Sequence, residues 1–200
     1  MKIIVIGATG TIGAKVADAL SAKKHEVIRA SRNGDIKVNL DDPATIRALF
    51  ERVNDVDALV SCAGNAAFKL FSQLTDADNQ LGLRSKLMGQ VSAARIASEH
   101  LRDGGSITLT TGVLAMHPIR GSASVSLVNA GLEGFVRAAA LEIPRRLRIN
   151  AVSPPWVKET LVKLGMDPAP GLSAADVAKA YVAAVEGSQQ GAILDPHQFV

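Results

Sequence analysis

Within the first thirteen residues a β-branched run meets a glycine-rich turn, and that junction restricts the folds open to the chain. Ile3, Ile4, Val5 and Ile6 show no polar alternation, as expected of a strand buried on both faces. Gly7-Ala8-Thr9-Gly10-Thr11-Ile12-Gly13 follows at once, and Ala14, Val16, Ala17, Ala19 and Leu20 then recur at helical spacing. The unit is strand, tight turn, helix. Glycine permits positive φ and lets a ligand come close to the backbone. The first turn of the helix offers unpaired N–H groups at the positive end of its dipole, a place that suits a pyrophosphate. Three glycines alone are weak evidence, but the strand before and the helix after make this a dinucleotide-binding signature, with Gly7, Thr9, Gly10, Thr11 and Ile12 against the cofactor. No Gly-Lys-Ser/Thr closes the turn, which excludes a Walker-type phosphate loop.

The rest of the chain repeats the alternation. Strands are expected at Glu26 to Ala30, Ile36 to Leu40, Ala58 to Ser61, Ser106 to Thr110, Arg148 to Ser153 and Gly191 to Leu194. Asp42-Pro43 places an N-cap and an N1 proline before a helix whose apolar stripe is Ile46, Leu49, Phe50 and Val53. A long helical stretch starts near Thr75 and ends at Gly104-Gly105; a second runs from about Ser122 to Leu141. Loops are expected over Gly112 to Gly121 and from Pro154-Pro155 to about Gly171. Ser173 then caps a last helix with Val177, Tyr181, Ala184 and Val185 on its packed face. Strands alternating with helices imply an α/β, Rossmann-like, doubly wound fold. Its seven-stranded, mostly parallel sheet would carry helices on both faces. No repeat or linker interrupts the pattern, so residues 1–200 are expected to form one NAD(P)-binding domain.

Composition narrows the setting. With 48% apolar and 20% charged residues in 200, the chain has enough material for a packed core. The formal charge of +3 comes from bases interleaved with acids, not from a basic patch, so no nucleic acid is expected. One cysteine, Cys62, excludes an internal disulfide and suits a reducing compartment. The N-terminal apolar run is too short for a signal or membrane segment, so a cytoplasmic protein with no membrane partner is expected. No metal site is expected.

Four segments, taken in order, resemble the short-chain dehydrogenase/reductase family over nearly the full length. The turn from Gly7 to Gly13 is similar to that of the family's extended and atypical branches. Ser61-Cys62-Ala63-Gly64 stands where the family usually has Asn-Asn-Ala-Gly. Asn129 to Phe135 resembles the segment after the catalytic tyrosine, and Arg148 to Pro154 resembles the sixth strand. The resemblance implies a doubly wound sheet and a nicotinamide cofactor along its strand ends. It carries Leu40, Asp41, Cys62, Ala63, Gly64, Thr110, Pro154 and Trp156 over as cofactor neighbours. It also implies a homodimer or homotetramer formed through the two long helices.

The same alignment exposes departures. Val125 occupies the place of the family's tyrosine, and Asn129 that of its lysine. Thr111 falls near the family serine, and Lys86 falls where a helix asparagine normally stands. The lone tyrosine, Tyr181, lies in the last helix with Val185 four residues on. In these losses the chain resembles an atypical subgroup of the family. Proton donation to a carbonyl then rests on Lys86, His117 or water, with Thr111 orienting the carbonyl. The alternative is a protein that binds the cofactor without turnover. The second strand ends Ala30-Ser31-Arg32-Asn33, with no acid before Asp35. A guanidinium and a hydroxyl suit a 2′-phosphate, so NADP(H) is favoured over NAD(H) through Ser31, Arg32 and Asn33. The competing reading leaves Arg32 solvated and gives Asp35 to an NAD ribose.

Overall fold

A computed structural model describes residues 1–200. Seven strands form one sheet: β1 (Lys2–Ile6), β2 (Glu26–Ser31), β3 (Ile36–Lys37), β4 (Ala58–Ser61), β5 (Ser106–Thr110), β6 (Arg148–Val152) and β7 (Ile193–Leu194). Their order is β3-β2-β1-β4-β5-β6-β7, and every pairing is parallel, where the sequence implied only a mostly parallel sheet. After β3 the chain returns to the far side of β1, so the order reverses between β1 and β4. In such sheets ligands bind outside the strand C-termini at that reversal.

Helices cover both faces because β1 and β4 have no polar face to give to water. Ile4, Ile6 and Leu59 join one buried cluster under α2 (Pro43–Arg52), α4 (Gly89–His100) and α5 (Ala123–Ala139). Ile3, Val5, Ala58 and Val60 join the other, under α1 (Thr11–Ala22) and α7 (Ala174–Glu186). Asp42 caps α2 through the Ala44 N–H, with Pro43 in the first turn, as its sequence requires. Thr75 and Asp78 cap α3 (Asp76–Gly82) reciprocally.

Several elements differ from the sequence expectation, among them the last strand, which holds Ile193–Leu194 in place of Gly191 to Leu194. The third strand has two residues, not five: the Thr45 hydroxyl takes both the N–H and the C=O of Asn39, withdrawing that backbone from the ladder. The long helix from Thr75 is α3 and α4 joined by a π-helical turn, Leu83–Met88. The loop after β6 contains a short helix, α6 (Lys158–Lys163). No helix is long and apolar enough to cross a membrane.

Candidate active site

The glycines after β1 have three different jobs. Gly7 has φ +84°, and a Cβ there would lie 2.9 Å from the Cys62 carbonyl carbon. A Cβ at Gly13 would overlap the Gly7 carbonyl, so this glycine lets α1 pack against the turn. Gly10 has an ordinary φ, and its Cβ would meet only the Gly7 oxygen, at 3.2 Å. The remaining side of Gly10 is open to the cleft above the sheet. No side chain caps the start of α1, so its first N–H groups face that cleft unclaimed.

Two cavities meet there. The first, about 250 Å³, lies over β1 and β2 and is lined by Thr9, Gly10, Ser31, Arg32, Asn33, Val38, Asn39 and Leu40, among others. It has no carboxylate in its lining. The Ser31 hydroxyl is buried without a hydrogen-bond partner, and Arg32 is exposed and in no ion pair. A hydroxyl and a free guanidinium without a nearby acid fit a phosphorylated ribose. Asp35, the competing ribose partner, is exposed and outside the lining. Asp41 is also outside the lining, but it is half-buried and its Oδ1 is buried without a partner, while its neighbour Leu40 lines the cavity. Val38, Asn39, Asn65 and Ser85 also line this cavity and were not anticipated; the apolar alternation of Val38 and Leu40 was the available signal.

The second cavity, about 260 Å³, lies over β4, β5 and β6 and shares Cys62, Ala63 and Gly64 with the first. Ile12, Thr110, Pro154 and Trp156 line it, joined by Thr160 of α6. Trp156 is steadied edge-on by Phe68, with ring centroids 6.3 Å apart. Lys86, Thr111, Val125 and Asn129 all face this space.

Lys86 stands on the π turn, a geometry that pushes one residue out of helical register. Gly64, at φ +135°, makes room for it: a Cβ there would lie 2.8 Å from Lys86 Cα. Lys86 Nζ donates to the Thr111 carbonyl at 3.1 Å and has no carboxylate partner. Burial without a counter-ion lowers its pKa from 10.5 to about 8. Asn129 donates through Nδ2 to the Gly112 carbonyl at 3.3 Å, and its Oδ1 is buried without a partner.

Other candidates are held differently. The Thr111 hydroxyl lies 3.1 Å from the Asn129 carbonyl and 3.3 Å from Glu133 Oε1, so its proton is directed into α5 and only its lone pairs remain for a ligand. His117 is exposed and lines a separate cavity with Glu133, Arg137, Asp195 and His197; the structure does not bring it to Lys86. Tyr181 is fully buried, its hydroxyl 2.7 Å from Thr110 Oγ1, and burial raises its pKa well above 10. Burial likewise pushes the Cys62 thiol up to about 12, so it is no nucleophile. Two supporting residues escaped the sequence reading. Gln90 clamps both backbone groups of Thr110 at 2.8 Å, and Glu133 is buried behind Thr111. Both lie four residues beyond a candidate, Lys86 and Asn129 respectively, and helical spacing could have indicated them.

Comparison with known proteins gives a consistent picture. The family model described as enoyl-(acyl carrier protein) reductase matches residues 11–186. A hydroxynaphthalene reductase-like protein, Arp2 of Metarhizium brunneum, is 31% identical over 134 residues, 64% of this chain and half the length of that relative. The crystal structure of the Listeria innocua protein lin1944 is 39% identical, with a TM-score of 0.91 and 98% of each chain covered. A small-chain dehydrogenase solved in complex with NADPH is 27% identical, with a TM-score of 0.87 and coverage of 98% of this chain and 95% of that one. Sequence match and sheet order thus agree over nearly the whole length: the chain belongs to the short-chain dehydrogenase/reductase family.

Proposed function

We propose that this protein is an NADP(H)-dependent oxidoreductase acting on a carbonyl or alcohol, with Lys86 as proton donor in place of the family's tyrosine. Residues 1–200 are read as one cofactor-binding domain. The first cavity takes the adenosine half, with Ser31 and Arg32 on a 2′-phosphate. The backbone from Gly10 to Ile12 takes the pyrophosphate, and the second cavity takes the nicotinamide and substrate. The neighbour solved with NADPH supports this choice over NAD(H). Bound NADP(H) supplies or accepts the hydride.

The observation that carries the reading is an ammonium without a counter-ion in the same, mostly apolar, cleft as Asn129, whose amide oxygen is buried without a partner. Lys86 has a proton to give at neutral pH, and burial makes giving it easier. Thr111's carbonyl fixes where Nζ points. Val113, Leu114, Val125, Pro155 and Trp156 restrict water and favour a substrate that is apolar around its carbonyl. Val125 and Asn129 carry no acidic proton, and Tyr181 is outside the cleft, so the reading places this chain in an atypical subgroup without the Tyr-Lys pair.

A homodimer or homotetramer is part of the proposal. Ala123, Leu127, Ala130, Gly131, Gly134 and Ala138 make an exposed stripe of small and apolar residues along α5, with Arg137 at its edge. A Cβ at Gly134 would touch nothing, so that glycine is not required by packing within the chain. The lone cysteine supports a reducing, cytoplasmic setting.

NADPH consumption over a panel of aldehydes, ketones, quinones and imines tests the reaction. Trp156 is the only tryptophan and lies in the cleft, so its fluorescence reports binding separately. Turnover lost in Lys86→Met, with NADPH binding intact, is the expected result. Tight binding without turnover on any substrate would favour the alternative, a binding protein that has lost the reaction along with its phenol.

A further inference from the structure

The short helix α6 carries a cation to the start of α1. Lys163 Nζ donates to the Thr11 hydroxyl at 2.8 Å. Thr11 is the first residue of α1, so the ammonium stands at the positive end of that helix, where a cation is disfavoured. No carboxylate lies within ion-pair distance of Lys163, so its charge is left to solvent. The one acid within α6, Glu159, is committed elsewhere: both its oxygens accept from the Ala174 N–H, at 3.1 and 2.9 Å, at the start of α7.

That commitment also fixes where α6 sits. Lys158 N–H bonds to the Leu172 carbonyl, Leu172 N–H bonds to the Trp156 carbonyl, and Leu161 is buried beneath the helix. Lys163 is therefore delivered to Thr11 by an anchored segment. An exposed, unpaired cation beside unclaimed helix N–H groups suits an anion. The adjoining cavity holds an independent sign of a ligand, the Ser31 hydroxyl, 5% exposed and without a partner.

We propose that Lys163 is a cofactor-binding residue that contacts the dinucleotide pyrophosphate, closing it between α6 and the glycine turn. The assignment rests on the NADP(H) reading above. It gives α6 a purpose in the cleft: Trp156 and Thr160 line the nicotinamide side, and Lys163, three residues past Thr160, holds the phosphates. A charge-assisted contact of this kind serves NADPH and NADH alike, because both carry the pyrophosphate.

Fluorescence titration of Lys163→Met, Lys163→Arg and the unsubstituted protein with NADPH, NADH and adenosine 2′-monophosphate tests it. Lys163 is exposed, so the fold should survive either change. Lys163→Met should lose about tenfold or more in affinity for both dinucleotides, with no loss for the 2′-monophosphate, which lacks the pyrophosphate. Lys163→Arg should restore most of that loss, and added salt should shrink it. Unchanged dinucleotide affinity in Lys163→Met, or an equal loss for the 2′-monophosphate, would overturn the assignment and leave the cofactor reading standing. Failure of the unsubstituted protein to bind either dinucleotide would overturn both.

Discussion

Replacing Lys86 by methionine should remove turnover and also make the protein more stable at neutral pH. Methionine keeps the unbranched stem but brings no charge into a cleft without a counter-ion. The lysine's pKa falls from 10.5 to about 8 on folding, which corresponds to about 3 kcal/mol. That is the cost of keeping the buried ammonium charged well below pH 8. The lost hydrogen bond to the Thr111 carbonyl offsets about 1–2 kcal/mol of the gain, leaving Lys86→Met more stable by about 1–2 kcal/mol at pH 7. The pH dependence is the sharper signature. Between about 8 and 10.5 the unfolded chain binds the Lys86 proton and the native state has released it, so native stability rises with pH across that window. Relative to Lys86→Met, the unsubstituted protein should gain about 2–3 kcal/mol from pH 7 to pH 10, because all other titrations are shared and cancel. Urea unfolding of both proteins at several pH values measures the difference directly. In activity, reduction should slow as pH rises through about 8, and the variant should lose about 10²–10⁴ in rate. A stability gap that does not move with pH would mean that Lys86 titrates like a solvated lysine, and the argument for a poised acid would fail.

Three further outcomes follow from the geometry. Arg32→Ala should weaken NADPH binding about tenfold or more and barely change NADH, since a guanidinium–phosphate contact contributes roughly 1.5–3 kcal/mol; equal losses by titration would show that Arg32 does not read the 2′-phosphate. Tyr181→Phe should leave turnover intact and cost about 1 kcal/mol of stability, because Thr110 Oγ1 still donates to the Ser61 carbonyl at 2.6 Å; a collapse of turnover with the fold and NADPH affinity preserved would restore Tyr181 as a candidate donor. Leu127→Asp, which puts a charge into the exposed stripe of α5, should shift a light-scattering mass from oligomer to monomer, and a monomeric mass before substitution would reject that interface.

What the sequence reveals here follows from how local each signal is. The strands are legible because burial on both faces leaves unbroken apolar runs such as Ile3 to Ile6, and the glycine turn because Gly7 and Gly13 answer to backbone constraints while Gly10 opens to the cleft. Shared lining then follows, since parallel strands end side by side and bring Gly10, Ser31 and Cys62 to one rim. The features that stay hidden depend on contacts between distant segments. Helix α6 has six residues and too few turns to establish a period, and its place is set by bonds to Leu172 and Ala174. The π turn at Leu83–Met88 leaves no mark in composition, since one displaced residue does not interrupt the apolar stripe of a long helix. Asp41 stood beside Leu40 in the chain, but only Leu40 faces the cavity.

The positions of Lys86 and Asn129 gain meaning when taken together. In the family that this chain resembles, the lysine stands on the helix after β5 and the asparagine on the helix before it. Here the two residue types are exchanged, yet both still face one cleft. The exchange is not neutral. A lysine on α5, four residues from a tyrosine, acts by making that phenol more acidic. In the proposed reading Val125 takes the tyrosine's place and leaves no phenol to activate, so the cation would contribute its own proton. A solvated lysine would be a poor acid at neutral pH, because its pKa lies more than three units above it. The π turn and the missing side chain of Gly64 seat Lys86 where burial brings that value to about 8. Efficient acid catalysis asks for a pKa close to the working pH, and in the proposed reaction burial of Lys86 would supply it without a second titrating residue.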